Sequence, residues 1–128
     1  MKTAELTGAD LDYWVARAEG IPAEQLEIRG VPRTDQRICV HKAPPIDGWM
    51  GNPLQVLAYS TNWLQGGPLI EKHQLTVLRD GGWHAGKSFM HEFCAGDGDG
   101  EGGTPLIAIC RAVVRAAFGD NVEDLPCE

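Results

Sequence analysis

Gly81-Gly82-Trp83-His84-Ala85-Gly86-Lys87-Ser88 satisfies the G-x-x-x-x-G-K-S pattern of a phosphate loop, in which backbone N–H groups and the lysine hold nucleotide phosphates. Such a loop follows a buried strand, opens a sturdy helix and is served by a later apolar strand ending in Asp, which holds magnesium. Leu75 to Leu78 could be the strand, but Phe89 to Cys94 is short and runs straight into a glycine-acidic stretch. The later apolar run, Leu106 to Ile109, ends in Cys110 and begins with helix-capping residues. In a chain with 16 glycines, a match lying over a hairpin turn is the better account.

Other reactive groupings fall short for equally local reasons. Asp97, Asp99 and Glu101 alternate with glycine as calcium ligands do, with Gly102 at the sixth place. The twelfth place needs a bidentate carboxylate and is Ala108, so only weak cation binding by the loop stays open. His91-Glu92 begins a zinc-protease pattern, yet Ala95 stands where the second imidazole belongs. Cys39-x-His41 and His91-x-x-Cys94 would make four zinc ligands only if distant strands paired, and each reads more simply as a buried thiol beside a surface imidazole. Ser60 and Ser88 are the only serines, and neither sits in a nucleophile elbow. Glu71 and His73, two residues apart on a short helix, point to different faces. No catalytic residue, metal ligand or cofactor is assigned.

Tyr59 to Glu71 stands apart: Tyr-Ser-Thr-Asn-Trp-Leu-Gln-Gly-Gly-Pro-Leu-Ile-Glu. Turn residues, a tryptophan and a Gly-Gly-Pro break crowd together there, which core packing alone does not require. Asn62, Trp63, Gln65 and Glu71 form the candidate binding surface, with Trp63 as anchor and the two amides as directional partners. In the opposing structural reading, Trp63 plugs the core while Asn62 and Gln65 hold the turn. The competing functional class is a small-ligand or metal-dependent enzyme using Glu71, His73, His84 or His91.

The elements that must position these residues follow from periodicity. Thr7 and Asp10 suggest a weak capping box for a helix whose face carries Leu11, Trp14, Val15 and Ala18, ended by Gly20 and followed by a turn over Pro22 to Gln25. Leu26 to Arg29 and Arg37 to His41 read as short strands. Lys42 to Pro53 is a turn-rich loop anchored by Trp49, and Leu54 to Tyr59 is a buried strand or a helical piece. Pro68 to His73 reads as a short helix, and Leu75 to Leu78, Asp80-Gly81-Gly82 and Trp83 onward as a hairpin. Residues 95–103, glycine alternating with acid, are expected to be a mobile loop. Thr104 caps the clearest helix, through Phe118, with Leu106, Ile109, Cys110, Val113, Val114 and Ala117 as its stripe. Residues 120–128 form an acidic tail.

A chain of 128 residues suits one domain. A net charge of −7 argues against nonspecific nucleic-acid binding, and the one loose basic cluster, Arg29, Arg33, Arg37 and Lys42, reads as a solvated face. No run reaches the roughly 18 apolar residues of a membrane span and the N-terminus lacks a secretory signal, so a cytosolic protein with reduced thiols at Cys39, Cys94, Cys110 and Cys127 is expected.

Three blocks resemble one family: Glu5 to Asp12 with Val15 to Gly20, Tyr59 to Glu71, and Gly103 to Ala108 with Phe118-Gly119. In order and spacing they are similar to the NinX-like proteins of tailed bacteriophages and prophages, while Ile21 to Leu57 matches nothing recognised. The resemblance implies a small phage or prophage protein of the bacterial cytoplasm with no established biochemical activity, near DNA metabolism by association. The expected fold is a single α+β domain over 1–128, with the N-terminal helix and the Thr104 to Phe118 helix packed on a small, mainly antiparallel sheet. The expected function is a noncatalytic protein-interaction module whose partner is a phage or host protein. A homo-oligomer is left open.

Overall fold

The computed structural model describes residues 1–42, 54–79, 81–86 and 100–123. The elements in order are α1 (Gly8–Ala18), β1 (Leu26–Gly30), β2 (Arg37–Lys42), β3 (Leu54–Leu57), α2 (Trp63–Gly66), α3 (Pro68–His73), β4 (Thr76–Arg79), β5 (Trp83–Gly86), β6 (Gly100–Gly102) and α4 (Pro105–Phe118), with 3-10 turns at Thr3–Glu5 and Ala23–Gln25. The class is α+β with antiparallel pairing, as expected. Among the described residues the strands form two three-stranded sheets rather than one, ordered β1-β2-β3 and β4-β5-β6. Helix α1 packs on the first sheet, α4 on the second, and the two helices on each other.

Helix α4 occupies the middle of the larger core. From Leu106 to Val114 only Ile107 and Arg111 are not buried, so this helix is covered around most of its circumference. Ala117, expected on the apolar stripe, is exposed. Thr104 Oγ1 accepts from the Ile107 N–H at 3.2 Å, Pro105 takes the first position, and Gly119 at φ 84° ends the helix. The other end is closed by the chain's own start. Thr3 Oγ1 donates to Gly119 O at 2.7 Å and Thr3 N–H to Asp120 O at 2.8 Å, while Met1 and Val122 exchange backbone bonds of 2.8 and 2.9 Å. Thr3 is thus a buried C-cap supplied from far away in sequence.

Strand β6 lies within the stretch expected to be a mobile loop; residues 95–99 fall outside the described ones. Its glycines serve packing rather than freedom. A Cβ on Gly100 would strike Ala108 O and the Ala112 backbone, and one on Gly102 would lie 2.6 Å from Ile107 Cγ2. Only a bare backbone lets this strand press so closely on α4.

Helix α1 buries Leu11, Trp14 and Val15 against α4, and Ala16 with Cys39 and Leu57 towards the first sheet. The expected capping box is not formed: Thr7 makes no side-chain cap bond. Asp10 is instead taken by Arg37 Nη2, which donates to both carboxylate oxygens at 2.8 and 2.9 Å, and that charge-assisted pairing outcompetes a local cap. The turn at Ala23–Gln25 and the Trp83 hairpin fall where expected. The 54–59 stretch resolves into β3, an edge strand with Leu54, Gln55 and Val56 exposed rather than a buried one. The loop anchored by Trp49 lies outside the described residues.

Gly100→Ala should lower the urea midpoint by an amount equivalent to about 1–3 kcal/mol, the usual cost of overpacking. Gly103→Ala, where a Cβ meets nothing within 4 Å, should stay within about 0.5 kcal/mol of wild type.

Candidate functional site

The Tyr59 to Glu71 segment is built by its polar residues. Ala58 O accepts from Thr61 N and Asn62 N at 3.1 and 2.8 Å, making the turn. Asn62 Oδ1 then caps α2 by accepting from Leu64 N at 2.9 Å. Gln65 reaches back to β3, where Nε2 donates to Val56 O at 3.0 Å and Oε1 accepts from Ala58 N at 2.7 Å. Residues 56 and 58 present these groups on the same side of an extended chain, so one carboxamide makes the two bonds that a neighbouring strand would make. Gly66 is buried because a Cβ there would strike Tyr59 O and lie 2.8 Å from Leu106 Cδ2. Gly67 is helical, and Pro68 opens α3 as expected.

Asn62 and Gln65 are therefore occupied in holding the segment together, as the structural reading had it. Trp63 is not: it is 53% exposed, and Leu64 beside it is 84% exposed. Glu71 is exposed on α3. Nothing in the sequence singled out Leu64, nor Leu54 and Val56 on β3, which are 58% and 50% exposed. Gln65 joins α2 to β3, so these apolar side chains belong to adjoining elements. The signal available was the pair Trp63-Leu64 at the first turn of a four-residue helix, too short to bury both.

The segment is fastened to α1 by a buried acid. Asp12, 5% exposed, accepts the Ser60 N–H through Oδ1 at 2.8 Å. Burial raises the Asp12 carboxyl above its ordinary value, against the opposing pull of the Ser60 N–H and hydroxyl. The Ser60 hydroxyl is itself buried and lacks a well-formed hydrogen bond. Around it, burial and the Asp12 charge push the Cys39 thiol up to about 12 and raise Cys110 further, so both stay protonated. Burial, with the charges of Glu19 and Asp12, lifts Tyr59 to about 12. These are inert groups at neutral pH.

Among the described residues of the enzyme reading, Glu71 and His73 stand apart from His84. His73 Nε2 meets Glu19 Oε2 at 3.0 Å, with Lys72 Nζ on the other oxygen at 3.1 Å. His41 bonds Gln25 at 3.0 Å beside the buried Cys39, while His91 and Cys94 lie outside the described residues. Among the described residues no three His, Cys, Asp or Glu side chains gather as a metal site. Gly81 and Gly82 form the hairpin turn of the phosphate-loop match and Trp83–Gly86 a strand rather than a loop. Of the basic cluster, Arg29 and Lys42 both pair with Glu27, holding its carboxyl down to about 2, and Arg37 pairs with Asp10.

His84 instead lines a cavity of about 380 Å³ between the N-terminal residues, β5, β6 and α4, together with Arg111 and Arg115. Sequence reasoning missed it, although two arginines one turn apart on an otherwise apolar helix were legible.

Residues 2–116 match the family model described as Bacteriophage P22, NinX. The chain belongs to that family. The match runs through Ile21 to Leu57, where no resemblance had been recognised. No curated protein matches the chain. Among the described residues of this NinX-family protein, no helix is long and apolar enough to cross a membrane.

The raised Asp12 pKa has a definite sign. Folding favours the protonated acid, so this group's contribution to stability is present below the unfolded value of 3.8 and is lost as pH rises through the higher folded value. Asp12→Asn keeps an oxygen for the Ser60 N–H without ionising, so its denaturation midpoint should lack the fall that the wild type shows as pH rises above the unfolded value of 3.8. Asp12→Ala, which orphans the buried N–H, should cost about 1–3 kcal/mol throughout.

Proposed function

We propose that this NinX-family protein is a noncatalytic accessory module that docks onto a phage or host protein in the bacterial cytoplasm, using Trp63 and Leu64 as its anchors. The observation that carries this reading is the exposure of both side chains, 53% and 84%, on a helix held by other residues. An exposed tryptophan on a fixed backbone loses little conformational freedom on binding, and tryptophan is among the residues that dominate interface energies. Leu54 and Val56 widen the apolar surface. Gln65 already occupies the backbone groups of Val56 and Ala58, so contact there would be made by side chains rather than by an added strand.

The division of labour within the segment sets the test. Gln65 and Asn62 are unsuitable probes because replacing either loosens the turn. Trp63→Ser and Leu64→Ser remove exposed surface, and Leu64→Ser should leave stability within about 0.5 kcal/mol. In affinity capture from infected cells, the wild type should retain a specific partner that Trp63→Ser loses by at least about tenfold, equivalent to roughly 1.4 kcal/mol. Sedimentation of the purified protein distinguishes a homo-oligomer using the same surface. Equal recovery of every partner by both folded variants, with unchanged sedimentation, would remove this surface from the function.

A further inference from the structure

The cavity beside α4 is distinct from the Trp63 surface and has a charge character the whole chain does not. In a protein of net charge −7, its lining among the described residues brings Lys2, Arg111 and Arg115 together against Glu101 and Asp120, three cations to two carboxylates, with His84 among them. Arg115 Nε lies 2.6 Å from Asp120 Oδ1, which accounts for one carboxylate. Arg111 is different. Its Nε donates to Leu6 O at 3.1 Å and its Nη1 to Glu101 O at 2.7 Å, both neutral carbonyls. Among the described residues no carboxylate lies within ion-pairing distance of it.

Two bonds therefore fix the plane of the Arg111 guanidinium and leave other N–H donors of its fork unused. Burial disfavours the charged form of Arg111 and the Glu101 charge offsets this only in part, while a guanidinium held flat is suited to bidentate contact with a carboxylate or phosphate group. Lys2 at the exposed rim adds charge that would draw an anion in. The volume, about 380 Å³, is that of a pocket for a small molecule rather than for a lone ion.

We propose that this cavity binds a small organic anion, whose carboxylate or phosphate group is taken by Arg111 with Lys2 at the entrance. The Arg111 Nε–H resonance of the full chain reads it directly in titrations with inorganic phosphate, phenyl phosphate and benzoate, each against chloride at matched ionic strength. The expected result is a saturable shift with at least one of the two organic anions, weaker or absent with inorganic phosphate. In Arg111→Lys, which keeps the charge and loses the fork, amide shifts around Gly100 and Glu101 should show that binding weakened at least about tenfold. Should that variant fail to fold, Lys2→Glu on the exposed rim decides in its place by a loss of at least about threefold. No saturable shift with either organic anion, or unchanged affinity in the deciding folded variant, overturns the proposal.

Discussion

A helix that is apolar on nearly every side cannot be satisfied by one sheet, and the whole fold answers that demand of α4. Strands β4 to β6 cover one side of it, α1 another, and α2 and α3 a third. Each covering element meets it by a different device. Strand β6 comes in on bare glycine backbone, Gly66 brings α2 against Leu106, and Thr3 closes the C-terminal carbonyls from the far end of the chain. Arg111, one of two residues between Leu106 and Val114 that are not buried, lines the cavity beside this helix.

The same packing explains why Tyr59 to Glu71 is fixed rather than loose. It is clamped from three directions: by Asp12 on α1, by its own amides onto β3, and by Gly66 against α4. Fixing a short polar segment this thoroughly costs backbone entropy, and a buried carboxyl with a raised pKa adds a further cost. What that expenditure achieves is a rigid four-residue helix that leaves Trp63 and Leu64 in solvent. Trp63 is therefore not a plug of the core.

Much of this was legible in the sequence because it depends on local chemistry. The Thr104-Pro105 start and Gly119 stop of α4, the face of α1, Pro68 at the entry to α3 and the hairpin at Gly81-Gly82 all follow from short-range rules. What escaped was set by partners distant along the chain. Asp10 prefers Arg37 to Thr7, and Asp12 finds Ser60, 48 residues on. Gly100 and Gly102 looked like loop material by composition, since sequence cannot tell glycine chosen for freedom from glycine chosen for close approach. In the candidate site, Asn62 and Gln65 were singled out as directional partners, but their side chains turn to the backbone and leave exposure to Trp63 and the unpredicted Leu64.

The central claim is that the segment is a fastened platform, and native-state amide hydrogen exchange tests it most directly. The Ser60 and Ala58 amides are held only by side chains, those of Asp12 and Gln65. If the platform is integral to the fold, both should exchange as slowly as the amides of Val15 and Val113 and open only with global unfolding. Exchange of Ser60 and Ala58 at rates near those of an unstructured chain, while the helices stay protected, would contradict it.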